Sequence, residues 1–134
     1  MHLIDASVWV AIADPADRFH ATAHAMVAKV EMPLAALDLT LYEVANVMGP
    51  KKGQAREGRF LVKLIEKRCR ESLVAVDSDL LESALEVAAE HGLTAYDAAY
   101  VAAARRHGWT LVSADVADLV SKGLAVAPDG ADYP

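Results

Sequence analysis

Apolar residues along the chain fall into short continuous runs, separated by longer stretches in which they recur every three or four positions. A short apolar run is typical of a strand that is buried on both faces, and the longer spacing is typical of an amphipathic helix. The runs that we predict as strands are His2–Ile4, MPLAAL, SLVAV, WTLVSA and LAVAP. Strands that alternate with helices indicate an α/β fold, with a mostly parallel sheet of about five short strands between two helical layers.

The helical stretches each carry an apolar face that we expect to pack on the sheet. A helix begins near Ser7, another spans about Ala95 to His107, and a short one follows in VADLVSKG. Gly92 and Gly108 follow the last two long helices and predict where those helices end. The apolar faces of the other helices are Ala21, Ala25, Val27 and Ala28; Leu41, Val44, Ala45 and Met48; Phe60, Leu61, Leu64 and Ile65; and Leu80, Leu81, Ala84, Leu85 and Ala88.

Length and composition indicate one folded unit. The 134 residues contain no internal repeat or linker, so we expect a single domain over residues 1–134. Cys69 is the only cysteine, which excludes an internal disulfide or a thiolate metal cluster and suggests a reducing compartment. The N-terminus lacks the basic segment of a signal peptide, and no apolar run approaches the roughly 20 residues that span a bilayer. We therefore expect a cytoplasmic protein without membrane association.

Charge is distributed unevenly along the chain. The net charge of −6 argues against nonspecific binding of nucleic acid. Residues 51–70 hold eight basic and two acidic residues, so this segment carries +6 and the rest of the chain −12. A solvated helix face is the usual explanation of such a run, and a local phosphate-binding face is the functional one.

Four acids occupy positions where an ordinary surface acid is less expected. Asp5 and Asp115 follow predicted strands. Asp97 lies in the first turn of an alanine-rich helix, and Glu43 lies in the apolar stretch LTLYEVANVM. Each acid also has a structural explanation, since Asp5 and Asp115 can cap the helices that follow them. Asp97 can complete a capping box with Thr94, and Glu43 can point to solvent.

Taken together, these acids suggest a cation site. In an open α/β sheet, ligands bind beyond the carboxyl ends of the strands. Burying several unpaired carboxylates there is costly unless a cation neutralises them. Mg²⁺ and Mn²⁺ prefer oxygen ligands and suit the hydrolysis of phosphodiesters. The residues alone therefore indicate an acidic metal site of that kind.

Four motifs occur in order over nearly the whole chain: LIDASVWVA, TLYEVANVM, GLTAYDAAYVAAARRHG and WTLVSAD. In this order and at this approximate spacing they resemble the PIN-domain ribonucleases, and most of all the VapC toxins of prokaryotic toxin–antitoxin pairs. The resemblance implies a PIN-like three-layer α/β/α fold. It also implies endonucleolytic cleavage of RNA that depends on Mg²⁺ or Mn²⁺, by attack of water on phosphorus.

The resemblance assigns roles to the four acids. It implies a catalytic quartet of Asp5, Glu43, Asp97 and Asp115. Asp5 and Asp97 would be the main metal ligands. Glu43 would bind the metal directly or through water and help to activate the nucleophile, and Asp115 would complete the negative pocket.

Other residues receive supporting roles from the same resemblance. Ser7 matches a small hydroxyl position near the metal, although a hydroxyl at a helix N-terminus explains it equally well. Asn46 lies one turn beyond Glu43 and would orient it, whereas we expect Asp118 to face solvent. The charge distribution, and not the resemblance, supplies the candidate contacts with the RNA backbone, which are Lys51, Lys52, Arg56 and Arg59 in the basic segment and the second basic pair, Arg105 and Arg106.

Two protein partners also follow from the resemblance. A cognate antitoxin would cover the active groove, often with a basic residue, and a second copy of the chain would form a homodimer. The apolar faces from Phe19 to Val30 and from Val44 to Met48 are candidate interfaces, but packing in the core explains them equally well.

Three other functions stay open on the sequence. A PIN-domain nuclease that processes RNA would have no antitoxin. A PIN-like interaction module would have no activity, although the complete quartet argues against it. A receiver-like signalling domain also has an acidic Mg²⁺ pocket, but it needs paired acids near its start and a lysine after a late strand. This chain has Asp5 alone, and after Asp115 it reaches a lysine only at Lys122.

Overall fold

Residues 1–131, which the computed structural model of the protein describes, form four strands and six α-helices joined by short helical turns. The strands are β1 (His2–Ile4), β2 (Leu34–Leu37), β3 (Leu73–Val74) and β4 (Thr110–Val112). The helices are α1 (Ala6–Ala13), α2 (His20–Ala28), α3 (Asp38–Asn46), α4 (Ala55–Cys69), α5 (Ser78–His91) and α6 (Ala95–His107). Single π-helical turns lie at Val47–Lys51 and Val116–Val120. Among these residues, no helix is both long enough and apolar enough to cross a membrane.

The strands form one parallel sheet in the order β3-β2-β1-β4. The prediction of a fifth strand at LAVAP is wrong. Within residues 1–131, that segment pairs only through Val126, which forms a single parallel bridge with Val112. Its N–H donates to the Leu111 carbonyl and its carbonyl accepts from the Ser113 N–H, both at 2.9 Å. The chain then enters a 3₁₀ turn at Pro128, which ends the pairing before a strand can form.

The sheet separates two hydrophobic clusters, which confirms the predicted arrangement of three layers. Successive residues of a strand point to opposite faces. Leu3 accordingly packs with residues of α5 and α6, whereas Ile4 packs with residues of α1, α2 and α4. Trp9 and Tyr100 are the largest fully buried side chains, and each lies in a different cluster. Burial on both faces explains why the strands are continuous apolar runs.

Several helices bury a narrower stripe than their sequences predict. The predicted core residues that are instead exposed are Ala21, Ala25, Ala28, Ala45, Phe60, Leu81 and Leu85. In α4, the buried residues Leu61, Ile65 and Cys69 recur every four positions, and Phe60 lies about 100° around the helix from Leu61. Helix α5 packs mainly against α6, so its residues beyond that contact face solvent.

The two predicted glycine stops are confirmed. Gly92 and Gly108 follow the last residues of α5 and α6, with φ angles of 66° and 68° in the left-handed region. The turn after Gly92 folds α6 back along α5, and the two helices form a packed pair. Helix α6 begins with Asp97 in its first turn.

Candidate active site

An acidic cavity opens beside the carboxyl ends of β1 and β4. Its volume is about 470 Å³, and it brings together four acids that are far apart in the sequence. The cavity is lined by Asp5, Ala6, Ser7, Val10, Asp17, Glu43, Val47, Asp97, Tyr100, Ala114 and Asp115. This edge of the sheet is where open α/β folds bind their ligands.

Asp5 follows β1 directly and is held at the start of α1. Its Oδ1 accepts from the Ser7 hydroxyl at 2.5 Å and from the Val8 N–H at 3.4 Å, so the predicted helix cap is present. The residue is only 5% exposed. Burial raises the pKa of its carboxyl to about 6, and the negative charge of Asp97 adds to this rise. Hydrogen bonds from the Ser113 and Ser7 hydroxyls oppose the rise.

Two serine hydroxyls join the ends of β1 and β4. Ser7 Oγ accepts from the Ala114 N–H at 2.9 Å and lies 3.4 Å from Ser113 Oγ. Ser113 is fully buried, and its Oγ accepts from the Asp115 N–H at 3.0 Å. Ser7 therefore links Asp5 to the end of β4. Sequence reasoning misses Ser113, although a serine that directly follows a buried strand and precedes an acid by two residues is a usable signal.

Glu43 is held from the neighbouring helix α6. Tyr100 Oη donates to Glu43 Oε1 at 2.7 Å and lies 2.8 Å from Thr40 Oγ1. Burial raises the pKa of Glu43, the hydrogen bond from Tyr100 lowers it, and the charge of Asp97 raises it. The bond that orients Glu43 thus comes from Tyr100, whereas Asn46, predicted for that role, is exposed and lies outside the cavity lining. Sequence reasoning misses Tyr100, whose signal is a hydroxyl one helical turn after Asp97.

Asp97 lies under the influence of neighbouring negative charges. Burial raises the pKa of Asp97, and the negative charges of Asp115 and Asp118 raise it further. Thr94 Oγ1 accepts from the Asp97 N–H at 3.2 Å and caps α6. Asp115 Oδ1 accepts from the Asp118 N–H at 3.0 Å and caps the turn that follows β4. Capping and a place in the cavity therefore coexist, and Asp118 is exposed as predicted.

A fifth acid, Asp17, also lines the cavity. It lies in the segment between α1 and α2, where its Oδ1 accepts from the Phe19 N–H at 2.8 Å. The sequence DPADR predicts only a turn, and nothing in the local pattern distinguishes Asp17 from an ordinary turn residue. Its position in the cavity becomes visible only once α1 is packed against the sheet.

The oxygen-rich lining suits a hard divalent cation. Among residues 1–131, no three Asp, Glu, His or Cys side chains converge closely enough to form a metal-binding group by themselves. Mg²⁺ does not need such a group, since it usually binds one or two carboxylates and keeps several waters. Within the described part of the chain, the interactions that shift the pKa of Asp5 and Asp97 include no basic side chain. A cation is therefore a fitting partner for these carboxylates.

The predicted contacts with RNA lie outside the cavity. All six are exposed and absent from its lining: Lys51, Lys52, Arg56, Arg59, Arg105 and Arg106. Lys52 pairs with Asp14 at 3.5 Å, at the end of α1. Arg106 pairs with Asp77 at 3.6 Å. It lies in the last turn of α6, about 13 Å along the helix axis from Asp97.

One residue of the basic segment has a structural role. Arg68 is half-buried, and its Nε donates to the Val27 carbonyl at 2.9 Å. Its Nη2 donates to the carbonyls of Lys29 and Met32 at 3.3 and 3.1 Å. Arg68 therefore connects α4 to the end of α2 and to the segment between α2 and β2. Its charge stabilises the fold through these bonds.

Comparison with known proteins identifies the family. Residues 2–117 match the PIN domain. Exonuclease VapC9 of Pyrobaculum aerophilum is 32% identical over 114 residues, covering 85% of this chain and 80% of the relative. Ribonuclease VapC3 of the same organism is 35% identical over 117 residues, covering 84% and 88%. A toxin-antitoxin complex from Klebsiella pneumoniae contains a chain that aligns with a TM-score of 0.69 and 20% identity, covering 96% of this chain and 98% of that one. These matches confirm the resemblance that the motifs indicate, and the chain belongs to the PIN-domain family.

Proposed function

We propose that this chain is the metal-dependent endoribonuclease toxin of a toxin–antitoxin pair, folded as one domain over residues 1–134. The observation that carries the proposal is the single cavity that Asp5, Glu43, Asp97 and Asp115 line beside the carboxyl ends of parallel strands. The names of the two Pyrobaculum relatives support a nuclease. The toxin-antitoxin complex of the same fold supports the pairing with an antitoxin.

In the proposed site, Asp5 and Asp97 are the main ligands of Mg²⁺ or Mn²⁺, and Glu43 and Asp115 act directly or through water. A bound cation of this kind supplies a more acidic water and neutralises charge on the phosphate. The chain itself orients its carboxylates. Ser7 holds Asp5 by a hydrogen bond and fixes it to the end of β4 through the Ala114 N–H.

The basic segment is proposed to bind the RNA backbone. The turn Val47–Lys51 begins at the cavity, since Val47 lines it, and leads to Lys51 and Lys52. The pair between Lys52 and Asp14 keeps the start of this segment near the end of α1. Arg56 and Arg59 follow as exposed residues, so a strand that leaves the cavity on this side meets several positive charges.

The proposal includes two protein partners, an antitoxin over the cavity and a second copy of the chain. The structure narrows the choice of dimer surface, because Phe19, Met26, Val44 and Met48 are buried in the core. Core packing therefore accounts for much of the two apolar faces that the sequence offers as interfaces. Light scattering of the purified chain measures whether the homodimer forms.

A circular single-stranded RNA tests the proposed activity, because only an endonuclease can open it. Wild-type protein with Mn²⁺ should linearise the circle, and excess EDTA should stop the reaction. Asp97→Asn should slow cleavage by roughly 100-fold or more, since it removes a proposed metal ligand. Asp79→Asn is the matched control: Asp79 is an exposed acid in the first turn of α5, and this variant should cleave normally.

Cation binding gives a second readout that does not depend on turnover. Calorimetry should show that the wild-type chain and Asp79→Asn bind Mn²⁺ alike, and that Asp97→Asn binds it much more weakly. Full cleavage by Asp97→Asn in Mn²⁺ would contradict the metal site. Shortening of a linear RNA from its end, with the circle left intact, would contradict the endonuclease and favour the exonuclease activity named for one relative.

A further inference from the structure

A chain of hydrogen bonds runs from the end of β2 to Glu43. The Leu37 N–H donates to Thr40 Oγ1 at 3.1 Å. Thr40 Oγ1 lies 2.8 Å from Tyr100 Oη, and Tyr100 Oη donates to Glu43 Oε1 at 2.7 Å. Thr40 and Tyr100 are 0% and 1% exposed, so both hydroxyls are shielded from solvent.

The number of protons on each group determines which partner donates in each of these hydrogen bonds. A hydroxyl has one proton to donate, and an ionised carboxylate only accepts. Because Tyr100 donates to Glu43, it must accept from Thr40. The oxygen of Thr40 is then left to accept from the backbone N–H of Leu37. Every donor points toward Glu43, and aligned hydrogen bonds of this sort polarise one another in a buried site.

We infer that Thr40 and Tyr100 are positioning residues that form a relay holding the Glu43 carboxylate for the proposed reaction. The relay joins three elements, since Thr40 lies in α3 beside the end of β2 and Tyr100 lies in α6. Tyr100 occupies one acceptor site on Oε1 and leaves the other acceptor sites of the carboxylate for a cation or a water. The inference rests on the proposed function, because only there does the orientation of Glu43 have a chemical consequence.

Removing the hydroxyl separates the relay from ordinary core packing. Tyr100 is among the largest buried side chains of its cluster, so a large truncation would disturb the core. Tyr100→Phe keeps the ring and deletes the hydroxyl, which removes the donor to Glu43 and the acceptor for Thr40. Thr40→Val keeps the shape of the side chain and deletes the donor to Tyr100, and Thr40→Ser restores a hydroxyl.

The test measures steady-state cleavage of the RNA circle and calorimetric binding of Mn²⁺, both with the full chain. Partners that orient metal ligands are worth roughly 10–100-fold in affinity or activity. Tyr100→Phe should therefore lower kcat and Mn²⁺ affinity about 10-fold or more, with KM for RNA within about twofold of wild type. Thr40→Val should act in the same direction with a smaller effect, and Thr40→Ser should recover it. Tyr42→Phe is the matched control, since Tyr42 neighbours Glu43 and is 79% exposed, and it should match wild type.

Each outcome decides the inference. Wild-type kcat and Mn²⁺ affinity in Tyr100→Phe would overturn the relay, and so would a Thr40→Ser variant no better than Thr40→Val. If circular dichroism shows that Tyr100→Phe does not fold, the pair of Thr40 variants decides alone. Failure of the proposed function gives a different result. The wild-type chain would then leave the circle closed, and Asp97→Asn would bind Mn²⁺ as tightly as wild type does. That result would overturn the function and the relay together.

Discussion

The acidic cavity and the basic segment 51–70 hold their charges in opposite ways. Asp5 is almost fully buried and accepts hydrogen bonds from two serine hydroxyls and the Val8 N–H, and Glu43 accepts one from a buried tyrosine. The basic side chains instead lie mostly in solvent, with Arg68 as the one half-buried member. The carboxylates of the cavity are therefore held in position by hydrogen bonds, whereas most basic side chains of the segment can adjust their positions in solvent.

This difference separates three kinds of effect. A buried carboxylate with a raised pKa lowers the stability of the fold and is a candidate for chemistry. A buried cation that donates to carbonyls stabilises the fold. An exposed cation changes only the attraction to a charged ligand, and salt screens it. One substitution of each kind tests whether the two regions differ in the way that the structure indicates.

The largest effect is expected at Asp5. Asp5→Asn should slow cleavage by roughly 100-fold or more and yet make the metal-free protein more stable at pH 7. The pKa of Asp5 is about 6 in the fold against an ordinary value of 3.8, so the native state holds the extra proton between these values. Stability consequently falls as pH rises from about 4 to 6. The ionised carboxylate costs about 3 kcal/mol at pH 7, and asparagine removes that cost.

Urea unfolding of the two proteins at pH 4 and pH 7, without divalent cation, measures this effect. Wild type should lose stability between the two pH values, and Asp5→Asn should lose much less. Addition of Mn²⁺ at pH 7 should then stabilise wild type and leave the variant unchanged, because a ligand stabilises only the fold that binds it. An Asp5→Asn protein less stable than wild type at pH 7 would show that the buried charge is not a burden on the fold.

An intermediate effect is expected at Arg68, the half-buried residue of the basic segment, because its hydrogen bonds stabilise the fold. Arg68→Met keeps an apolar stem and removes the three hydrogen bonds to the carbonyls of Val27, Lys29 and Met32. Hydrogen bonds from a charged donor are worth about 1.5–3 kcal/mol each, with part of the loss recovered by water, so unfolding should become about 2–4 kcal/mol easier. The folded variant should keep the kcat of wild type.

The neighbouring exposed residue provides the control for Arg68. Lys67→Met removes a charge from the same turn of α4 and should leave the urea midpoint nearly unchanged. Equal midpoints for the two variants would mean that the bonds of Arg68 contribute nothing beyond a surface charge.

Much of the fold follows from the sequence because its determinants are local. A strand buried on both faces leaves a continuous apolar run, and α5 and α6 end at glycines with positive φ. The segment LAVAP fails as a strand because pairing depends on its surroundings, and the turn at Pro128 ends it after one bridge. Phe60 and Leu85 fail as core residues because burial depends on which neighbour covers a helix.

The candidate site shows the same difference between features with local determinants and features that depend on distant segments. The motifs single out the four acids through their order in the chain, and each acid has a local signal at a strand end, at a helix start or, for Glu43, within an apolar stretch. The long-range contacts that hold these acids have no such signal, because they join distant segments. Tyr100 reaches Glu43 across 57 positions, and Ser7 reaches Ala114 across 107. Such contacts exist only after the sheet order is set, so sequence patterns cannot supply them.

The smallest effect is expected in the exposed part of the basic segment. Arg56→Ala should weaken RNA binding only a few-fold at low salt and leave kcat unchanged. For a single strand, each lost phosphate contact should reduce the slope of log affinity against log salt by about 0.7. Fluorescence anisotropy with an RNA of fixed length, across a salt series, measures that slope.

Lys67→Ala completes the contrast, since Lys67 is also exposed but lies 11 positions along α4 from Arg56, about 16 Å farther along the helix axis. A reduced slope in Arg56→Ala alone would place the RNA backbone at the start of α4, where the turn from the cavity leads. Unchanged slopes in both variants would make the segment a solvated face, and RNA would then be held by the cavity without help from it. Equal losses in both would mean that the segment acts through its net charge of +6 and has no defined contact.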